Sequence, residues 1–256
     1  MDMFLKDKVV VVTGAGSGIG AATARTFAEE GAKVVVADFV EETAAKVAGE
    51  IAGNGGAAVP FRVDVRVEAE AQAMVDFAVA TYGGLDVLVN NAGKGMLGTV
   101  ETAVESEWND IVAVSLNGTF LCSKYAIPVM RARGGGAIVN TASNISMAMA
   151  IKDRAAYVAA KGAVSALTRS MALDFAADNI RVNSVAPGVI WSNYFDVMLG
   201  QVADPEAFKE GLRARAPTHR WGTPQEIANA IVWLASERAS YATGSMMTVD
   251  GGSSIW

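Results

Sequence analysis

Five tyrosines and nine lysines are spread over 256 residues, and one pair of them stands four apart, in Tyr157-Val158-Ala159-Ala160-Lys161. On a helix that spacing puts a phenol and an ammonium on one face, about 6 Å apart along the axis. A phenol with an ordinary pKa near 10 is a poor base at neutral pH, and a neighbouring positive charge favours the phenolate and lowers it. Such a pair can move a proton to or from an oxygen within hydrogen-bond reach. The spacing alone arises by chance in roughly one such chain in five or six, and a half-buried tyrosine beside an outward-snorkelling lysine is the ordinary alternative. Cys122 is the sole cysteine and His219 the sole histidine, which excludes intramolecular disulfides, thiol zinc sites, HExxH sites and two-histidine metal centres. A Ser-His-Asp triad would have to use His219, in the polar stretch Pro217-Thr218-His219-Arg220, and the chain has no nucleophile elbow. Proton transfer is left to Tyr, Lys, Ser, Asp or Glu.

A second constellation, Thr13-Gly14-Ala15-Gly16-Ser17-Gly18-Ile19-Gly20, follows a run of valines and precedes alanines at 21, 22 and 24. Glycines allow positive φ and let backbone N–H groups approach a pyrophosphate, whose charge then sits at a helix N-terminus. Gly16, Gly18 and Ala21 also satisfy G-x-G-x-x-A, and between a strand and a helix this is the dinucleotide fingerprint. Asp38, 18 residues after Gly20, ends the second β-rich run, where a carboxylate accepts hydrogen bonds from the adenosine ribose hydroxyls. The same carboxylate would repel the 2'-phosphate of NADP, and no Arg or Lys at 39 or 17 compensates. NAD is therefore expected over NADP, the alternative being that Asp38 merely begins the turn into the next helix. A hydride moving between a nicotinamide and a carbonyl carbon leaves charge on the carbonyl oxygen, and Tyr157 with Lys161 would serve that oxygen.

Short β-branched runs alternate with alanine-rich amphipathic segments along the whole chain. Strands are expected at 8–13, 33–37, 58–63, 87–89, 137–141, 181–185 and 246–249, and helices at 19–30, 41–52, 67–82, 106–131, 155–177 and 224–236. This rhythm predicts an α/β fold of the Rossmann type, a doubly wound, seven-stranded parallel sheet with helices on both faces, with 1–256 as one domain. It breaks at 188–216, about 29 residues carrying Trp191, Tyr194, Phe195, Met198 and Leu199, which reads as a substrate lid or as an extra helix packed for stability or subunit contact. Hydrophobic residues make up 52% and charged ones 19%, below the roughly 25% of ordinary domains, so the core is large. The longest uncharged stretch, 134–151, is broken by Gly, Asn, Thr and Ser, and residues 1–8 lack an apolar leader core; no membrane span and a cytoplasmic location are expected. A net charge of -6 argues against a nucleic-acid partner.

From Lys8 to Gly252 the chain resembles the short-chain dehydrogenase/reductase family. The resemblance is carried by TGxxxGxG at Thr13 to Gly20, Asp64 after the third strand, Asn90-Asn91-Ala92-Gly93 after the fourth and Asn117 in the long helix. Ser143 after the fifth strand, YxxxK at Tyr157 and Lys161, and Pro187-Gly188 after the sixth complete it. The resemblance implies that Tyr157 is the acid/base, that Lys161 binds the nicotinamide ribose and lowers the tyrosine pKa, that Ser143 holds the substrate oxygen, and that Asn117 holds a water linking Lys161 to solvent. It implies cofactor contacts from Gly14, Ser17, Gly18, Ile19 and Gly20 at the phosphates, and from Asp38 and Phe39 at the adenosine ribose. Asp64 with Val65 would meet the adenine, Asn91, Ala92 and Gly93 would pack on the adenosine side, and Pro187, Gly188, Ile190 and Ser192 would cover the nicotinamide. Ser143 lies 14 residues before Tyr157, slightly more than usual, so Asn144 and Ser146 compete for its role, and Ser192 follows a bulky Trp191 where the family often has Thr. A homotetramer is implied too, with the apolar end Ser253-Ser254-Ile255-Trp256 buried against a partner subunit.

The activity this implies is NAD-dependent interconversion of a secondary alcohol and a ketone. A 3-oxoacyl carrier-protein reductase, a sugar or polyol dehydrogenase, and a non-catalytic dinucleotide sensor are the alternatives. Met96, Met147, Met149, Trp191, Tyr194, Phe195 and Met198 suggest an apolar or cyclic alcohol, while Asn144, Ser146 and Asn193 leave a sugar hydroxyl open.

Overall fold

Four consecutive valines have no polar side to show to water, and the first strand, β1 (Val9–Thr13), is accordingly buried along its whole length. A computed structural model of the protein describes residues 2–95, 97–146, 149–192, 195, 199, 202 and 204–256. Beside β1 lie β2 (Lys33–Asp38), β3 (Ala57–Arg62), β4 (Val87–Asn90), β5 (Gly136–Thr141), β6 (Ile180–Pro187) and β7 (Met246–Val249), all parallel, in the order β3-β2-β1-β4-β5-β6-β7. The seven-stranded, doubly wound parallel sheet expected from the sequence is the observed one.

Strand side chains alternate between two cores. Val10, Val12, Val34, Val36, Val87 and Val89 pack on one face with α1 (Gly18–Glu29), α2 (Glu41–Gly53) and a C-terminal helix. Val9, Val11, Val35, Leu88 and Ile138 pack on the other with α3 (Glu68–Tyr82), α5 (Gly118–Ala132) and α6 (Ala155–Asp174). The strand order reverses between β1 and β4, and a crevice opens there beyond the carboxyl ends of the strands.

The helix expected over 106–131 is interrupted. It consists of α4 (Glu105–Val112) and α5, joined through a π-helical turn, Ala113–Asn117, in which the Gly118 N–H bonds to the Ala113 carbonyl five residues back. The Thr119 hydroxyl donates to the Ser115 carbonyl at 2.8 Å, which helps satisfy an acceptor in the irregular turn. Gly118 is required there, because a Cβ would lie 2.7 Å from Val65. Within 188–216 the structure has a helix, α7 (Pro205–Arg213), whose N-cap Asp204 accepts from the Ala207 N–H. The last helix, α8 (Pro224–Ala235), starts with Pro224 at its first position and a capping box between Thr223 and Glu226.

Candidate active site

The turn from β1 into α1 is built to receive phosphates. Gly14 and Gly18 have φ of +63° and +51°, which L side chains rarely adopt. Gly16 and Gly20 are needed for space: a Cβ on Gly20 would stand 2.1 Å from the Gly14 carbonyl oxygen, and one on Gly16 would stand 2.2 Å from the Thr43 hydroxyl. The turn delivers Ser17, Gly18 and Ile19 to the N-terminus of α1, where N–H groups and the helix dipole favour an anion. Asn91 clamps it. Its side-chain amide donates to the Thr13 and Gly14 carbonyls at 3.0 and 3.1 Å, while the Thr13 hydroxyl accepts from the Asn91 and Ala92 N–H groups. Asn91 therefore holds the loop as well as lining the cleft, a part that its position after β4 did not disclose.

Gly14, Ser17, Gly18, Ile19, Asp38, Phe39, Asp64, Val65, Asn91, Ala92, Gly93 and Ser192 all line one cleft of about 450 Å³. The Asp38 carboxylate is oriented by the Gly16 and Val40 N–H groups at 2.8 and 2.9 Å. Arg62 and Arg66 lie over the Phe39 ring, 5.2 and 5.8 Å from its centre, so cationic side chains reach this rim from β3 and the loop after it rather than from positions 17 or 39. Both are already paired. Arg62 bonds Glu70 at 2.6 Å, and Arg66 forks onto Asp64 and also meets Asp110, which Lys94 holds in turn. The hydrogen bonds from Arg66 hold the Asp64 carboxyl below the usual range. Arg66, Lys94 and Asp110 line the same cleft, and no motif in the sequence announces them.

Farther along the crevice, α6 carries the phenol and the ammonium. Tyr157 is half-buried, and Lys161 is buried with its Nζ 6.0 Å from the centre of the Tyr157 ring. The Lys161 Nζ donates to the Thr141 carbonyl at 2.6 Å, and burial pushes its ammonium down to about 8. Gly93 lies beside it, where a Cβ would stand 3.4 Å from that nitrogen. Ser143 follows β5 and is buried. Of its two rivals, Ser146 donates its hydroxyl to the Lys161 carbonyl at 3.0 Å, and Asn144 donates to Ser253 at 2.7 Å. Both competitors have their donor hydrogens committed elsewhere.

The π-helical turn bears on one assignment that the resemblance implied. Asn117 is exposed, and its side chain makes no hydrogen bond to a described residue. Ser115, two residues earlier in the same turn, is 1% exposed, and its hydroxyl finds no partner among the described residues. The resemblance gave the water to Asn117, and which polar residue of an irregular turn is buried leaves no mark in composition.

The far wall is the end of β6. Pro187 closes the strand, and Gly188 donates to the Val249 carbonyl with no room for a Cβ, which would lie 2.8 Å from Asp250. Ile190 is buried and Ser192 crosses to the phosphate turn, where a Cβ on Gly18 would lie 3.5 Å from its own. Trp191 stacks between Phe195 and Trp221, with Arg213 of α7 over the Trp221 ring. Of the apolar side chains expected around the substrate, Met96, Met147, Tyr194 and Met198 lie outside the described residues, as does Asn193.

A family model described as enoyl-(acyl carrier protein) reductase matches residues 14–254. The cis-4-hydroxycyclohexanecarboxylate dehydrogenase of Sinomonas cyclohexanicum is 45% identical over 252 residues, covering 96% of each chain. A Burkholderia xenovorans protein classed as a short-chain dehydrogenase/reductase superposes with a TM-score of 0.95 at 36% identity, covering 98% of both chains. L-sorbose reductase from Gluconobacter frateurii, solved with NADPH and L-sorbose, superposes with a TM-score of 0.94 at 33% identity over the full length of both.

Proposed function

The chain belongs to the short-chain dehydrogenase/reductase family and interconverts hydroxyl and ketone groups, and we propose that it does so as an NAD-dependent dehydrogenase of apolar or cyclic secondary alcohols. The observation that carries this reading is the placement of Ser143, Tyr157 and Lys161 at the carboxyl edge of the sheet that also holds the glycine cradle. NAD fits that cradle, where glycines leave space that a Cβ would fill, and when bound it accepts or returns the hydride.

The remaining work falls to the protein. Ser143 donates to the substrate oxygen, and its neighbours Asn144 and Ser146 are committed to other partners. Tyr157 takes the hydroxyl proton during oxidation and returns it during reduction. Lys161 sets its ammonium beside the phenol and lowers the phenol's pKa, with two further N–H bonds beyond that to Thr141 free to reach ribose hydroxyls. Ser115 holds the water that links Lys161 to solvent, the role first expected of Asn117. All 256 residues form one catalytic domain, with 188–216 as a lid whose Trp191 and Phe195, together with Trp221 beyond it, give the site an apolar wall.

The preference for NAD rests on Asp38. Its carboxylate is oriented as an acceptor for two ribose hydroxyls, and Arg62 and Arg66 are neutralised by Glu70, Asp64 and Asp110 before a 2'-phosphate could use them. The NADPH bound by the sorbose reductase makes NADP the second reading. The ring substrate in the name of the Sinomonas relative agrees with the apolar wall. Exposed Leu173, Ile255 and Trp256 support a homotetramer; Cys122, buried with its thiol pushed up to about 12, supports a cytoplasmic enzyme that needs no disulfide.

The test follows absorbance at 340 nm with NAD and NADP over cyclic alcohols, polyols, hydroxysteroids and 3-hydroxyacyl thioesters. Turnover of cyclic alcohols with NAD, lost in Tyr157→Phe while NADH still binds, is the expected result. Activity restricted to NADP, or to thioesters, overturns the reading.

A further inference from the structure

Behind Ser143 a buried polar chain runs to the C-terminal turn, and its members beyond Ser143 have no part in the chemistry described above. The Ser143 hydroxyl donates to Asn144 Oδ1 at 3.4 Å, and Asn144 Nδ2 donates to the Ser253 hydroxyl at 2.7 Å and to Asp250 Oδ2 at 3.4 Å. The Ser253 hydroxyl donates to Asp250 Oδ2 at 3.0 Å, and the same carboxylate accepts the N–H groups of Gly252 and Ser254 at 2.9 and 2.8 Å. Ser143, Asn144 and Ser253 are each less than a tenth exposed.

The direction of this chain is set at its far end. An ionised carboxylate only accepts, so Ser253 must give its hydrogen to Asp250 and present a lone pair to Asn144. That lone pair, with Asp250 Oδ2 behind it, requires the NH₂ side of the Asn144 amide, because a reversed amide would bring two acceptors together. The Asn144 carbonyl oxygen is then left facing Ser143. Each link follows from the one before, and the polarity of an amide next to the reacting oxygen is decided by a carboxylate 106 residues along the chain from it. The Asp250 turn also packs where Gly188 has no space for a Cβ, so one turn braces both the Ser143 loop and the wall after β6.

We propose that Asp250 acts through Ser253 and Asn144 as a positioning group that keeps the Ser143 side chain beside the substrate oxygen, its hydroxyl resting on Asn144 Oδ1 in the empty site and turning its one hydrogen to the substrate oxygen on binding. The link to Ser143 is long and yields to a substrate oxygen, while the 2.7 and 3.0 Å links behind it keep the amide from turning. Ser146 braces the same loop from the opposite side, accepting the Ser143 N–H and donating to α6. This proposal rests on the assignment of Ser143 to the substrate oxygen.

A double-mutant cycle separates the two ideas. Asn144→Ala, Ser143→Ala and the double variant are compared for kcat, KM for the alcohol, and NADH binding by fluorescence. Asn144→Ala is expected to lower kcat about tenfold with NADH binding unchanged, and to change kcat less than twofold once Ser143 is already alanine. Asp250→Asn, which keeps the shape but turns one acceptor into a donor, lowers kcat in the same Ser143-dependent way. Ser253→Ala does so without disturbing the backbone bonds to Asp250, and it serves where Asp250→Asn binds NADH poorly. Equal losses in both backgrounds mean a purely structural role and overturn the proposal. Full activity of Asn144→Ala with an impaired Ser143→Ala overturns the proposal alone, whereas full activity of Ser143→Ala overturns the assignment of Ser143 and the proposal with it.

Discussion

Lys161 is a buried cation, and the energetic cost of that burial has a definite signature in pH. Burial lowers its pKa from an ordinary 10.5 to about 8. Between those values the unfolded chain binds more protons than the native one, so stability rises with pH across that window. Below pH 7 the lysine is protonated in both states and its contribution is level. Integrating the two titrations gives a gain of about 2 kcal/mol between pH 8 and pH 10, out of a total near 3 kcal/mol. Lys161→Met lacks this titration and keeps most of the volume. Urea unfolding of the cofactor-free proteins, read by tryptophan fluorescence, should show the wild-type stability climbing by about 2 kcal/mol relative to the variant from pH 8 to pH 10, with no relative change from pH 6 to pH 7. A relative stability that stays level from pH 8 to pH 10, or falls, would refute the claim that the ammonium lies in dry surroundings. The same burial keeps the positive charge poorly screened beside the Tyr157 ring, so stability is given up where the proposed mechanism calls for a cation.

Three further outcomes are expected. Asp38→Ala removes the charge that opposes a 2'-phosphate and the acceptor for the Gly16 N–H; the ratio of kcat/KM for NAD over NADP should fall about a hundredfold, and an unchanged ratio would clear Asp38 of any part in the choice. Ser115→Ala deletes a buried hydroxyl that has no partner among the described residues, so thermal stability should hold or rise while kcat falls and its pH profile shifts, whereas Asn117→Ala should leave both nearly unchanged; the opposite ranking returns the relay to Asn117. Gly20→Ala drives a methyl group into the Gly14 carbonyl, and should cost about 1–3 kcal/mol by thermal unfolding and weaken NADH binding at least tenfold.

Residues that act through local pattern were legible in the sequence. The valines of β1, the glycines that follow it and the carboxylate ending β2 each announce their place, because burial, positive φ and strand alternation leave local marks. Tyr157 and Lys161 were legible as a pair for the same reason, since a regular helix converts spacing into direction. What stayed hidden depends on contacts between distant segments or on a broken period. Asn144 meets Ser253 across 109 positions, Arg66 meets Asp110 across 44, and neither pairing has a composition of its own. Ser115 was missed because Asn117 was taken from its match to a family motif, and nothing local in the sequence says which polar residue of the π-helical turn is buried. The segment 188–216 was legible as an interruption of the strand rhythm, though the aromatic stack of Trp191 between Phe195 and Trp221 was not.

The surplus residue in that turn also changes what the helical stretch around it faces. One added residue advances a helix by about 100°, so a face that looks one way before Ala113 looks another way after Asn117. Upstream, Ile111 packs with Ala156 and Ala160 of the helix that bears the phenol. Downstream, Cys122, Ala126 and Met130 pack with the side chains of the sheet. A regular helix carries one apolar stripe and serves one neighbour; this one serves two and needs no loop between them. Its phase works as a setting of the site, and removing a single residue from 113–117 would turn α5 against the sheet and α4 against α6 as if one gear had slipped a tooth on the other.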